Sequence, residues 1–125
     1  MANVQSPQRF DLEDRTFDFA KDCKDFVKRI SRNAINVDYC RQLLRASSSV
    51  ASNYIEANEA ISRKDFFHRI RICRKEAKES CLWLRLIDDN SNEELKKLSV
   101  KLIGEGMELT KIFGKIQESA KTEKL

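Results

Sequence analysis

The chain has few residues that break or brace irregular structure. Its 125 residues include one proline, Pro7, and three glycines, which excludes collagen-like, proline-rich and turn-dense architectures. Histidine is scarce too, so an enzyme using it as a base would have only His68. No stretch approaches the roughly 18 apolar residues of a membrane-spanning helix. The four cysteines, Cys23, Cys40, Cys73 and Cys81, lie far apart and form no CxxC pair. The opening MANVQSPQRFDLEDR lacks the basic and apolar regions of a secretory signal. A cytoplasmic protein with reduced, packed cysteines is therefore expected.

What is present points to a folded domain. Hydrophobic residues make up 41% of the chain and charged residues 35%, too apolar for disorder and too charged for a membrane protein. The length suits one domain, expected over residues 11–120 with a flexible lead (1–10) and a flexible tail (121–125). The net charge of +4 says little about partners, but its distribution says more. Residues 62–90 hold eight basic against five acidic side chains, whereas the other segments are close to balanced. Any electrostatic footprint belongs there.

Apolar residues recur at steps of three and four, with no sustained alternation, so four helices are expected. The first, over about 12–32, carries Phe19, Cys23, Phe26 and Ile30 on one stripe. The second, from about Val37 to Asn58, aligns Cys40, Leu43, Ser47, Val50, Tyr54 and Ala57. Its SSSVAS centre fits close approach of a neighbouring helix, with hydroxyls bonded back to preceding carbonyls. Ser62 is the expected N-cap of the third helix, with Asp65 as its capping-box partner. That helix reaches about Asp88 through Phe66, Ile70, Cys73, Ala77, Ser80 or Cys81, and Leu84. Ser91 repeats the start signal for a fourth helix to about Ser119. Its stripe of Leu95, Leu98, Leu102, Leu109, Ile112 and Ile116 is interrupted at Glu105 and Gly106. Gly104 and Gly106 mark either a close helix contact or a kink. Four amphipathic helices with short links give an all-α, antiparallel up-down-up-down four-helix bundle.

The third helix has three distinct sides. Arg63, Lys64, Arg71, Arg74, Lys75 and Lys78 fall within about 120° of one another, and Arg85 extends the same side. Such a ridge could follow phosphates of RNA or DNA, serve an acidic protein partner, or simply solvate the helix. No glycine-rich phosphate loop, zinc-finger spacing or RNA-binding aromatic motif accompanies it. Ile72 and Trp83 lie on another side, either at a subunit interface or, for Trp83, against the fourth helix of the same chain.

Catalytic and metal sites find little support. Glu56/Glu59, Glu76/Glu79 and Glu105/Glu108 match the spacing of helical di-iron ligands only in part, because no glutamate is followed three residues later by histidine. His68 falls off the apolar stripe and reads as a surface residue. Ser47, Ser48, Ser49 and Ser52 lack a nucleophile elbow and a histidine relay. The cysteines fall on packing stripes without an activating base. No catalytic residue, metal or cofactor is expected.

From about Tyr39 to Asp88 the chain resembles the small bacterial family encoded by intervening sequences in 23S ribosomal RNA genes. The resemblance rests on Gln42-Leu43, Arg45, Ser49-Val50, Asn53 and Glu56-Ala57, then on Ser62-Arg63, Asp65-Phe66, Ile72, Glu76-Ala77, Glu79, Trp83-Leu84 and Leu86-Ile87. Ala51-Ser52 stand where a glycine often precedes the asparagine, and Ser80 replaces a common threonine. The resemblance implies a left-handed four-helix bundle assembled as a ring-shaped homopentamer with a positively charged surface. More distantly it implies likeness to accessory variability proteins of retroelements, which serve a reverse transcriptase and bind nucleic acid.

The resemblance also draws attention to Asn53 and Glu56, one turn apart, which could bond across to Arg45, Arg63 or Arg69. Arg45, Asn53 and Glu56 are expected to form a structural polar network. The leading functional expectation is a non-enzymatic oligomeric accessory protein that touches RNA or DNA phosphates through the basic side of the third helix. The alternative is a scaffold that binds another protein, with the basic side serving solubility or an acidic partner.

Overall fold

The three-and-four spacing resolves into four helices in the computed structural model, which describes residues 8–122. They are α1 (Gln8–Arg29), α2 (Ala34–Asn58), α3 (Arg63–Leu86) and α4 (Glu93–Thr122). Each helix packs on its neighbours in the order α1, α2, α3, α4 and back to α1, and Tyr54 of α2 meets Phe113 of α4 across the core, with ring centroids 6.0 Å apart. This is the packing of an up-down-up-down bundle. The α2–α3 seam is the most extensive and α1–α4 the slightest. Of the expected lead, residues 8–10 already belong to α1, while residues 1–7 lie outside the described residues. Lys121 and Thr122 of the expected tail end α4, and residues 123–125 lie outside the described residues.

Local chemistry sets the helix starts. Ser62 takes the Asp65 N–H on its hydroxyl at 3.0 Å, capping α3 as expected. Asn33 caps α2 by accepting from Asn36 N–H at 2.8 Å, so α2 begins at Ala34, before Val37. The start of α4 differs from the expectation. Asn92, not Ser91, is the capping side chain and accepts the Leu95 N–H at 3.0 Å. Asn90 and Ser91 occupy left-handed backbone, at φ 57° and 61°. Asp88 and Asp89 carboxylates hold that turn through the N–H groups of Asn90 and Ser91, and the helix begins only beyond it.

The core follows the apolar stripes closely. Phe19, Cys23, Phe26 and Ile30 of α1 are buried, as are all six stripe residues of α2. On α3, Ser80 rather than Cys81 takes the fully buried position, and Phe66 is only half-buried. On α4 the stripe is not interrupted at Gly106. It runs through Leu102, Gly106, Leu109 and Phe113, all buried, so Phe113 is a core residue that the spacing expectation omitted. Gly106 holds a core position because nothing larger fits: a Cβ there would lie 2.5 Å from Cys81 Sγ and 3.4 Å from Phe19. It marks a close contact of α4 with α3 and α1. Gly104, two residues earlier, would place an added Cβ with nothing within 4 Å and plays no such part.

One buried polar residue pins an end of the bundle. Asn36 is 1% exposed. Its side-chain amide donates to Ser31 O at 3.2 Å and Asp88 O at 2.9 Å, and its Oδ1 accepts from Asp88 N–H at 2.8 Å. The α1–α2 and α3–α4 links are thereby tied through one side chain, which meets the hydrogen-bond demand of buried backbone groups.

Candidate nucleic-acid interface

The basic residues expected on one side of α3 are all exposed: Arg63, Lys64, Arg71, Arg74, Lys75, Lys78 and Arg85. Lys64, Arg71, Lys78 and Arg85 recur every seven residues, forming a stripe roughly 30 Å long at the helical rise. Arg74 and Lys75 lie alongside. Helix α4 adds cations that sequence reasoning missed. Arg71 and Arg74 share a groove of about 670 Å³ with Lys111, Lys115 and Lys121. Glu118 is the one carboxylate lining it among the described residues, and it pairs with Lys121 at 3.8 Å. Among the described residues Lys111 pairs only with Glu108, at 3.6 Å, and both side chains are exposed. Arg74 lies close over α4 at Gly114, where an added Cβ would come 3.4 Å from its Nε. The spacing of Lys111, Gly114, Lys115 and Glu118 was the available signal for a second basic helix face.

The polar set on the α2–α3 seam is built differently from the expectation. Asn53 Nδ2 donates to Ser49 O and Ser49 Oγ, both at 2.9 Å, and Asn53 Oδ1 accepts from Arg69 Nη1 at 2.9 Å. Arg45 reaches Gln42, Glu79 at 3.2 Å and Glu76 at 3.6 Å. Glu56 takes no part in these bonds among the described residues; its side chain faces solvent one turn beyond the seam. Glu76 stands in its place, buried, with Oε1 unpartnered among the described residues. The serine stretch returns hydroxyls to the preceding turn, Ser48 to Leu44 O at 2.7 Å and Ser47 to the same carbonyl at 3.5 Å. Ser47, 1% exposed, lets the helices approach closely.

Trp83 and Ile72 are half-buried on α3. The Trp83 ring packs against α2, stacked on Tyr39 with centroids 6.0 Å apart and planes 26° from parallel. Its Nε1 is buried without a hydrogen-bond partner among the described residues.

The thiols have no activating surroundings. Burial pushes Cys23 and Cys73 up to about 12 and raises Cys40 and Cys81 as well, which keeps all four neutral at physiological pH. His68 is exposed. Among the described residues no group of three or more His, Cys, Asp and Glu side chains could hold a metal ion. Among those residues, too, no helix is long and apolar enough to cross a membrane.

The family model of the 23S rRNA-intervening sequence proteins matches residues 8–115, nearly all of the bundle. The chain belongs to the 23S rRNA-intervening sequence protein family. A solved structure from the S23 ribosomal protein family, a protein of unknown function from Bacteroides thetaiotaomicron, superposes with a TM-score of 0.72. It is 24% identical, and the match covers 85% of this chain and 97% of that one; at this identity it shows the shared fold. Comparison with curated proteins gives no match. The charged and polar residues among those that carried the resemblance fall in different places. Arg45, Asn53, Glu76 and Glu79 hold the α2–α3 seam, while Arg63 is among the cations at the exposed start of α3.

Proposed function

We propose that this protein is a non-enzymatic, self-associating accessory protein of the cytoplasm that holds RNA or DNA by its phosphates across the face shared by α3 and α4. One observation carries the reading: cations of two neighbouring helices, Arg71 and Arg74 with Lys111 and Lys115, converge on one groove lined by a single, already paired carboxylate among the described residues. Arg71, Arg74, Lys75 and Lys78 make no ion pair among the described residues, so their charge is available to phosphate. Guanidinium forks give oriented contacts and lysines give point charges; each neutralised phosphate releases counterions and adds to affinity. Assembly into a ring, with Ile72 and Trp83 at the subunit contact, would repeat the face around the particle and raise avidity without new contacts. A homopentamer is the assembly that resemblance to the family's relatives favours, and a more distant relation to retroelement accessory proteins is part of this proposal.

The test is solution mass measurement with and without short RNA and DNA duplexes at low salt. The native protein is expected to gain the mass of bound duplex. A variant combining Arg71→Gln, Arg74→Gln, Lys111→Gln and Lys115→Gln should keep its subunit number and lose binding at least a hundredfold. Undiminished binding by that variant would overturn the assignment. Retention of a cellular protein partner after nuclease digestion, with no duplex bound, would favour the scaffold reading instead.

A further inference from the structure

On the opposite side of the bundle, α1 and α2 flank a second groove, of about 410 Å³. Its chemistry differs from that of the α3–α4 face. Val37 and Leu44, seven residues apart on α2, remain 49% and 37% exposed. Half-buried Val27 of α1 continues the apolar floor, and Ile30 and Cys40 close it from below. The charged residues that line this groove are all cations among the described residues. Lys24, Lys28 and Arg32 stand four residues apart along α1 and the link beyond it, and Arg41 faces them from α2. No carboxylate among the described residues lines the groove. Arg41 is held by Asp38, one turn before it, whereas Lys24, Lys28 and Arg32 make no ion pair among the described residues.

We infer that this groove docks an acidic amphipathic helix of a partner protein. Charge complementarity sets the sign of the occupant: a rim without carboxylates repels a basic segment and attracts an acidic one. The apolar floor decides between classes of anion. Nucleic acid could satisfy the rim cations but would leave Val37 and Leu44 in contact with phosphate and water. An amphipathic helix satisfies both, with apolar side chains one heptad apart, roughly 10 Å, over Val37 and Leu44. Its acidic flank meets Lys24 and Lys28, roughly 6 Å apart at the helical rise, and Arg32 on the link beyond α1. The groove is separate from the phosphate-binding face, so this inference stands whether or not nucleic acid binds there.

Fluorescence anisotropy tests it with a labelled peptide made of two Glu-Leu-Glu-Glu-Leu-Leu-Glu repeats, against a scramble of the same composition that spreads leucine around the helix. The patterned peptide should bind at least tenfold more tightly than the scramble at equal ionic strength. Val37→Ser with Leu44→Ser, both at exposed positions, should remove that advantage, as should Lys28→Glu with Arg32→Glu. Arg71→Gln with Arg74→Gln should leave it intact. Circular dichroism checks that each variant keeps its helix content, and the charge pair serves if the serine pair does not fold. Equal affinity for the two peptides, or loss of binding only with the Arg71 and Arg74 changes, would overturn the inference. So would a fall in assembly size caused by Val37→Ser with Leu44→Ser, which would give the groove to a second copy. Loss by those same changes of binding to phosphatidylglycerol vesicles or duplex DNA, with no peptide bound, would give it to a lipid or a nucleic acid.

Discussion

The two grooves beside α4 carry opposite charge. Towards α1 the walls present Asp18, Asp22, Asp25, Glu105 and Glu108, and the cations among them are largely tied down. Arg15 grips Glu105 through two bonds, at 3.0 and 2.8 Å, and Arg29 reaches Glu94 at 2.8 Å. Towards α3 the walls present Arg71, Arg74, Lys111 and Lys115 around one carboxylate. A net charge of +4 conceals this segregation. On the α1 side ion pairs join the slightest seam of the bundle; on the α3 side Arg71 and Arg74 make no ion pair among the described residues. Pairing state, more than net charge, distinguishes the two grooves.

Changes that disturb the frame shared by both sides should have the largest effect on stability. Asn36→Ala removes the side chain that ties the two links and strands the Asp88 N–H. A loss of about 2–3 kcal/mol is expected in denaturant unfolding, with duplex binding preserved below the transition. Two glycines of α4 come next, and their effects should differ in sign. Gly106→Ala drives a methyl into Cys81 Sγ and should destabilise by about 1–2 kcal/mol after the helix-propensity gain. Gly104→Ala, in open space, should stabilise by up to about 1 kcal/mol. Equal effects at both positions would contradict the close contact assigned to Gly106.

Smaller effects probe the pairing argument itself. Glu105→Gln should cost about 0.5–1 kcal/mol, because Arg15 and Glu105 are each about one-third exposed and solvent screens the pair. Arg74→Gln should leave thermal unfolding unchanged while weakening duplex binding. The smallest effect concerns pH. Cys23 and Cys73 titrate near 12 in the fold against an ordinary value of 9.0. Between those values the unfolded thiols lose protons that the folded ones keep. Their contribution to stability is therefore complete below pH 9 and declines as pH rises towards 12. Base titration of a Cys73→Ala variant should show a shallower decline over that window.

Much of the bundle was legible in the sequence because a helix face repeats its burial pattern along one chain. Every stripe residue of α2 is buried, and the Ser62 cap is where the pattern puts it. Misreadings arose where two elements decide together. Gly106 looks like a break in the α4 stripe until Cys81 and Phe19 are seen against it, and Phe113 was lost with it. Ser91 is a reasonable cap on its own, but the turn held by Asp88 and Asp89 makes its backbone left-handed. The α3 cations were visible as one helix face. Lys111, Lys115 and Lys121 were not, because their relation to Arg71 and Arg74 exists only after α3 and α4 pack. Glu56 and Glu76 show the same limit: both are glutamates beside an alanine in the sequence, yet only Glu76 lies buried against Arg45.

The most direct measurement is the salt dependence of duplex-DNA binding. The native protein should show a steep fall of log affinity with log salt, and the Arg71→Gln, Arg74→Gln, Lys111→Gln, Lys115→Gln variant should be shallower by about 3–4, near 0.9 for each lost phosphate contact. The same slope in both proteins would contradict a phosphate-binding face on α3 and α4.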